Sequence, residues 1–550
     1  MANGNGYRMD RRRFLAGSMS TLTAAMLSQW PLEALAAGSG TAHGGDWDPG
    51  GLRHLLPTVN DTSMFVKASF QRPQAQAPEL RVENRSLGRR VTWGRMNDTS
   101  GHFWQFHAGD LSPATAYRLS LHGGDGRPLC EPWQLSTFPS PKTKMKRARI
   151  LFFTCAGGVG GTYDGIGKRS GALPPAIRNR LLRRGLSFSP DAVVSNGDHI
   201  YWDLHTWLGD RPGALSGAGE RSNFDFAARV FGTRNEDALR AAAEPQIVPV
   251  YGTDFRSTPV FFLQDDHDHW ENDSPVSYPV PWFQLQLARA TQQLYYPEFL
   301  PDSARPRGLP WSATHERGDL SESFGTIRIG DLAEVLLYDV RRTMSVNDVD
   351  AVFIDRQAEQ WLAGRAAAGD TRHLVHVPSN PPGWTAGKWG EWYPDVLDPA
   401  RGELTISEPK PHWRQGWLEQ HDRIMQALSA MTERAPLVVS GDLHAIGMGE
   451  MRGSGHLDFG ANPVTAVLSG PIGTSPEGFP SVIRGSRPLP SAVLDLDEAV
   501  APIEQHGFTL VDFTRDRMVI RLFKWDVNSE PLETIDTLEP FYSTELERRA

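Results

Sequence analysis

Cysteine is nearly absent from this chain: only Cys130 and Cys155 occur in 550 residues. Two cannot build the disulfide framework of a small secreted protein, and one bridge between them is the most that could form. Basic residues are in the minority, 56 against 65 acids, for a formal charge of −9. With that balance no basic patch argues for a nucleic-acid partner. Long apolar runs are missing as well. Beyond the amino terminus no stretch reaches the ~20 residues that span a bilayer. What remains is ordinary for a globular protein, 39% hydrophobic and 22% charged. The length exceeds what one hydrophobic core usually covers, so two domains are expected.

The first 36 residues differ from the rest. Arg8, Arg11, Arg12 and Arg13 stand against Asp10 and Glu33, and Arg11-Arg12-Arg13-Phe14-Leu15 opens a mildly apolar run that closes on Ala34-Leu35-Ala36. The run ends in a small-residue cleavage pattern. Adjacent arginines before Phe-Leu are the mark of twin-arginine export; the alternative is a basic, disordered amino terminus. Residues 1–36 are therefore expected to be a signal peptide recognised by the twin-arginine translocase, with the mature chain periplasmic or secreted. That route carries folded proteins, which suits an enzyme that takes up a metal before it leaves the cytoplasm.

Over residues 45–140 short alternating segments recur about every ten residues, at 64–70, 79–84, 91–96, 103–106, 117–122 and 134–138. Such spacing predicts an all-β sandwich. Within it Leu111-Ser-Pro-Ala-Thr-Ala-Tyr117-Arg-Leu-Ser-Leu121 resembles the strand entry of fibronectin type III domains, where a tyrosine packs across the corner. The domain reads as structural. A proline and lysine linker, 139–147, leads into residues 148–545, where apolar runs alternate with helical segments, the signature of an α/β fold. Core strands are predicted at 149–153, 191–195, 260–263, 335–338, 373–377, 437–440 and 464–468, helices at 177–186 and 417–431, and a closing hairpin at 508–513 and 518–525. Segments 203–256, 274–330 and 381–415 are rich in Gly, Pro and Trp and show no period. Insertions of that kind at strand ends usually shape a binding site. Trp384, Trp389 and Trp392 there could line a pocket or simply pack.

Three predicted strands empty into acids and histidines. Asp191-Ala-Val-Val-Ser-Asn-Gly-Asp198-His-Ile-Tyr201 delivers a carboxylate to a strand's end, with Tyr201 placed to curl back as a phenolate. Val260-Phe-Phe-Leu-Gln-Asp265-Asp266-His267-Asp268-His269 and Leu437-Val-Val-Ser-Gly-Asp442-Leu-His444 repeat the construction. Any one could be a plain turn or a solvated acidic loop, and Cys155, ending the strand at 149–153, could be a small buried hydrophobe. Together they place buried charge beside core strands, which costs too much unless something pairs it. A two-cation site would do so, with Asp198 the best bridging carboxylate.

In this order, Cys155, Gly197-Asp198-His-Ile-Tyr201, Asp265-Asp266-His267-Asp268 and Gly441-Asp442-Leu443-His444 resemble the calcineurin-like metallophosphoesterases, specifically the PhoD-type alkaline phosphatases. The resemblance implies a four-layer α/β metallophosphoesterase sandwich preceded by an amino-terminal fibronectin- or immunoglobulin-like domain. It implies a ferric ion held by Cys155, Asp198 and Tyr201, with Asp198 bridging to calcium or another divalent cation that Asp266, Asp442 and His444 help bind. His267 would face the substrate, stabilising phosphoryl charge or protonating the leaving oxygen. Arg341, in Asp339-Val-Arg341-Arg342, matches an Asp-x-Arg segment and would grip phosphate, or form a surface salt bridge. Asn272 lies one residue later than the commoner spacing, and His376 and Asn380 are candidates for an indistinct intermediate motif. The expected protein is a monomer that hydrolyses small phosphate esters. A non-catalytic phosphate-binding protein is the alternative, and an adhesion protein with an inactive phosphoesterase fits less well because all four blocks are intact.

Overall fold

The computed structural model describes residues 47–158, 172–202, 223–270, 280–310, 320–398, 400–474 and 481–548. The predicted signal, residues 1–36, and Asn272 lie outside them. Among the described residues no helix is long and apolar enough to cross a membrane. The chain is a mixed α/β structure built on several sheets.

Two large sheets form the body. In the first, Val260–Leu263, Ala192–Asn196 and Arg147–Phe153 run parallel, and the antiparallel strands His506–Thr514, Arg517–Trp525 and Tyr542–Glu547 extend the sheet. In the second, Ala333–Tyr338, His373–Pro378, Leu437–Ser440 and Val464–Ser469 are parallel. Phe324–Ile329 flanks them on one side and Ile446–Ser454 on the other, both antiparallel.

Side chains alternate along each strand, and the alternation sorts them into layers. Ile150, Phe152, Val194, Phe261 and Leu263 meet Val335, Leu337, Val375, Val377 and Val439 in one core between the sheets. The intervening Leu151, Phe153, Val193 and Phe262 face helices Pro175–Ser187, Arg234–Tyr251 and Trp282–Tyr295. Leu336, Tyr338, Leu374 and Val438 face Arg356–Ala368 and Gln415–Ser429. The result is helix, sheet, sheet, helix. Because both faces of each central strand are covered, their sequences read as unbroken apolar runs.

Residues 52–136 form two four-stranded antiparallel sheets. Leu52–Val59, Met64–Phe70, Phe103–Ala108 and Arg95–Met96 make one; Gly88–Trp93, Glu79–Asn84, Ala116–His122 and Trp133–Ser136 make the other. The single strand expected at 91–96 is divided between them at Gly94, where a Cβ would stand 2.8 Å from the Phe106 ring. Tyr117, buried, accepts a hydrogen bond from the Ser112 N–H at 2.8 Å, as a corner tyrosine does. The two cysteines are both free, so the bridge allowed by composition does not form.

Among the described residues three helices of thirteen residues or more escape the sequence pattern. Arg234–Tyr251 lies in a segment that shows no period, and it carries Pro245 and Pro249 inside the helix, residues that read as breakers. Trp282–Tyr295 and Arg356–Ala368 are the others.

Candidate metal centre

All the blocks singled out in the sequence arrive at one end of the paired sheets, because parallel strands deliver their carboxyl ends together. Arg147–Phe153 leads to Cys155, Ala192–Asn196 to Asp198, Val260–Leu263 to Asp265 and Asp266, and Leu437–Ser440 to Asp442. The chain must turn sharply at each exit. Cys155, Asp198, Asp442 and His444 all take positive φ, between 50° and 64°. Gly197, at φ 81°, leaves no room for a side chain, since a Cβ there would lie 2.6 Å from that of Asp265. Non-glycine residues rarely adopt this conformation, and where they do the surroundings hold them in it.

Asp268 holds Asp198 in that conformation. Its Oδ2 accepts from the N–H groups of Asp198 (2.9 Å) and Asp265 (3.0 Å), and its Oδ1 from those of His199 (2.9 Å) and Ile200 (3.1 Å). One buried carboxylate thus ties the second block to the third. In the sequence Asp268 stands among five metal-competent residues with nothing to mark it apart. His199 has a structural part too: its Nε2 meets the Leu263 carbonyl at 2.7 Å and its Nδ1 the Ser195 hydroxyl at 3.2 Å.

Around Asp198 the donors converge. The Cys155 thiol reaches its Oδ2 at 3.3 Å and the Tyr201 hydroxyl reaches the same oxygen at 3.2 Å. The Tyr201 hydroxyl also lies 3.0 Å from His444 Nε2. Three sets of side chains each bring their ligand atoms within 4.8 Å of one another: Cys155, Asp198 and His444; Asp198, Asp266 and His267; and Asp198, Asp265, Asp266 and Asp442. Asp198 is common to all three. His444, assigned by the resemblance to the second cation, keeps company here with Cys155 and Tyr201, and Asp265 joins the acidic set.

Burial sets the electrostatics. It pushes the Asp198 carboxyl well above the usual carboxylate range, reinforced by the neighbouring Asp266. It raises the Cys155 thiol and the Tyr201 phenol in the same way, each with Asp198 adding to the effect. Asp266 goes the other way: burial opposes its ionisation, but Arg341, then His267 and Lys388, hold it below the ordinary value. Burial depresses His444 well below its usual value. At Asp198 neighbouring acids crowd one another, a local excess of negative charge that an added cation would relieve.

The residues present fit a metal on a second count. Both oxygens of Asp266, Oδ1 of Asp198, Oδ2 of Asp265 and Oδ1 of Asn380 are buried and accept no hydrogen bond. Buried acceptors are nearly always satisfied, and oxygen donors clustered this closely are the kind a hard cation takes.

Two cations of the chain itself stand among the acids. Arg341 is fully buried: its Nε meets Asp265 at 2.6 Å, its Nη1 the Gly390 carbonyl at 2.9 Å, and its Nη2 lies 3.6 Å from Asp442. Burial excludes the surface salt bridge, and the guanidinium lies among the acids of the centre. Lys388, in the insertion at 381–415, places Nζ 2.7 Å from Asp442 Oδ1 and 4.0 Å from Asp266 Oδ2. No periodicity or motif marks Lys388 in the sequence; a lone lysine in a Trp- and Gly-rich loop looks like a surface residue. Asn380 does reach the centre, donating to Asp442 Oδ2 at 3.1 Å. His376 does not: it lies under the helical layer with Nδ1 3.3 Å from the Tyr338 hydroxyl. His267 lies against Tyr201, ring centres 4.2 Å apart and planes tilted by 33°. The three tryptophans of the insertion pack: Trp384 bonds to Glu498, Trp389 meets Trp417 edge-on and Trp392 stacks on Phe353.

No family model matches the chain. No curated protein matches it in sequence. Solved structures do. A structure of PhoD matches over 90% of this chain and 90% of its own, with a TM-score of 0.55 at 13% identity. Purple acid phosphatase PPD1 from seeds of yellow lupin (Lupinus luteus) matches over 90% of this chain and 74% of its own, with a TM-score of 0.53 at 11% identity. The likeness that four short blocks suggested thus extends over nine-tenths of the chain, and this protein has the fold of PhoD and of purple acid phosphatase.

Proposed function

We propose that this chain is a metal-dependent phosphoric ester hydrolase, acting on mono- or diesters. The observation that carries the reading is the sharing of Asp198 by three donor sets, the arrangement a bridging carboxylate between two cations requires. Cys155, Asp198, Tyr201 and His444 would hold a ferric ion, the cation acidic enough for phenolate and thiolate. Asp198, Asp265, Asp266 and Asp442 would hold calcium or another divalent cation. Such a pair supplies a nucleophile from water at neutral pH and neutralises phosphoryl charge.

The chain's own groups do the rest. Asp268 fixes the backbone that presents Asp198 and Asp265. Arg341 and Lys388 offset the carboxylates, Lys388 by pairing with an oxygen of Asp442 that a cation would take. His267, against Tyr201 and within reach of Asp198 and Asp266, is the group offered for protonating the leaving oxygen. Substrate size is open to the insertions that border the centre. Residues 45–140 are read as a structural sandwich and 1–36 as an export signal; replacing Arg11 and Arg12 with lysine should strand the protein in the cytoplasm.

The test is hydrolysis of chromogenic phosphate mono-, di- and triesters by purified protein whose metals have been counted. Turnover should appear with iron and a divalent cation bound, and Asp198→Asn should loosen both ions and abolish it. Folded, metal-replete protein that turns over none of these esters would move the assignment to a non-catalytic phosphate-binding or adhesion protein.

A further inference from the structure

The strongest observation outside the metal centre lies on the sandwich. Eight large hydrophobic side chains are exposed among the described residues, and four of them, Leu87, Val91, Trp93 and Met96, fall within ten consecutive positions. Trp93 is 63% exposed and Leu87 56%. The same stretch, residues 85–96, holds four arginines (Arg85, Arg89, Arg90, Arg95) and no acid, in a chain whose formal charge is −9. The overall balance conceals a basic patch that the fold brings to one edge.

The geometry says which way it faces. Gly88–Trp93 is the outer strand of its sheet. Val91 pairs with Arg81, Trp93 with Glu79 and Arg89 with Glu83. Those partners alternate with Leu80 and Val82, which point into the core, so Val91, Trp93 and Arg89 point outward. Among the described residues three acids border the patch and each already faces an arginine: Glu79 beside Arg81, Glu83 beside Arg89 at 3.7 Å, and Asp110 beside Arg90 at 3.8 Å. With Arg81 and Arg118 counted among them, the described charges of this edge stay positive even with Arg95 set aside.

Arginines on an edge strand can serve only to prevent edge-to-edge pairing. That role does not account for a tryptophan and three aliphatic or thioether side chains left in water beside them. A nucleic acid would stack on Trp93 but offers nothing to Leu87, Val91 and Met96. Apolar side chains ringed by cations match a surface that is anionic outside and hydrocarbon beneath. We infer that the edge strand Gly88–Trp93, with the turn at Leu87 and the start of the next strand at Met96, is a docking surface for an anionic lipid bilayer. It acts independently of the metal centre and would hold the protein at a membrane face without a spanning segment.

The test is co-sedimentation of the full chain with vesicles of phosphatidylglycerol and phosphatidylcholine, against pure phosphatidylcholine and soluble heparin. Wild type should bind the anionic vesicles and release as salt rises. Arg85→Ser with Arg89→Ser should weaken partitioning roughly 25-fold, about fivefold for each arginine near such a surface. Leu87→Ser with Trp93→Ser should weaken it about tenfold or more while leaving heparin binding unchanged. Every protein compared retains residues 1–36, so attachment through the basic amino terminus is common to all and cancels. Thermal unfolding at the wild-type temperature confirms that these surface changes leave the fold intact. Equal binding of wild type and both double variants, or no preference for anionic vesicles, overturns the inference. Loss with the arginines but not with Leu87 and Trp93 also overturns it, in favour of a soluble polyanion.

Discussion

Asp268 is the residue whose removal should cost most for its size. Its carboxylate accepts four backbone N–H groups, from Asp198, His199, Ile200 and Asp265, at 2.9 to 3.1 Å. It is buried, so no water replaces a lost bond. A hydrogen bond to a charged acceptor contributes roughly 1.5–3 kcal/mol net. Asp268→Asn retains one acceptor oxygen, which serves two of the four donors, and turns an NH2 group toward the other two. Two bonds lost in this way should cost about 3–6 kcal/mol, a large part of the ~5–15 kcal/mol that a domain has in hand. The loss should also reach the metal centre, since the tethered N–H groups belong to the turns that aim Asp198 and Asp265. Guanidinium denaturation of wild type and Asp268→Asn, with elemental analysis of both, reads the two effects separately. A variant less than about 1 kcal/mol weaker, with full metal content, would show that these four bonds do not hold the turns.

Lys388 should behave as a competitor of the divalent cation, because its ammonium sits 2.7 Å from Asp442 Oδ1; Lys388→Met leaves that buried carboxylate unpaired at a cost of about 3–5 kcal/mol, which a bound cation relieves, and should bind calcium at least about 100-fold more tightly by calorimetry. Weaker binding would mean that the lysine supports the site instead. Burial holds His54 near a pKa of about 3, against an ordinary 6.5. The unfolded chain therefore takes up a proton that the folded chain refuses, and stability is lost as pH falls from about 6.5 toward 3. Replacing His54 with leucine should flatten the profile by about 1.4 kcal/mol per pH unit in that window, and identical denaturation curves at pH 6 and pH 4 relative to wild type would count against it. Tyr117→Phe removes one hydrogen bond, to the Ser112 N–H, and should cost about 1 kcal/mol in denaturation without changing metal content.

The central strands were legible because burial on both faces writes the same message at every position: Val260-Phe-Phe-Leu263 and Leu437-Val-Val-Ser440 need no period to be recognised. The metal residues were legible because acids directly after such runs are physically odd. What stayed hidden depends on contacts distant in sequence. Arg234–Tyr251 is helical despite two prolines since its apolar residues Leu239, Ile247 and Val250 pack on the first sheet's outer face. Tertiary burial there overrides a weak local preference. Asp268 could not be told from its neighbours, because its role is defined by N–H groups sixty-eight to seventy residues earlier in the chain as well as by one nearby. Lys388 looks like an ordinary surface charge in the sequence, and Arg341 like a phosphate clamp or a surface ion pair. Only the fold shows that they face inward.

The seam between the amino-terminal sheets and the body has a consequence for how the chain can be cut. Apolar residues of the sandwich, among them Val66, Leu119 and Phe138, belong to the same continuous core as Ile150, Phe261 and Val335. Lys67, with no exposed surface, crosses the seam to Glu298 at 2.9 Å, and Thr99 and Asn97 reach Glu236 and Gln293. Severing the peptide within 139–147 would therefore leave two pieces still clasped, released only together on denaturation. A fragment ending near residue 140 would present a wet lysine where a buried one belongs, beside a bare greasy flank. The sandwich is a lid glued to its box, and exchanging it for the sandwich of another protein would require re-cutting both surfaces.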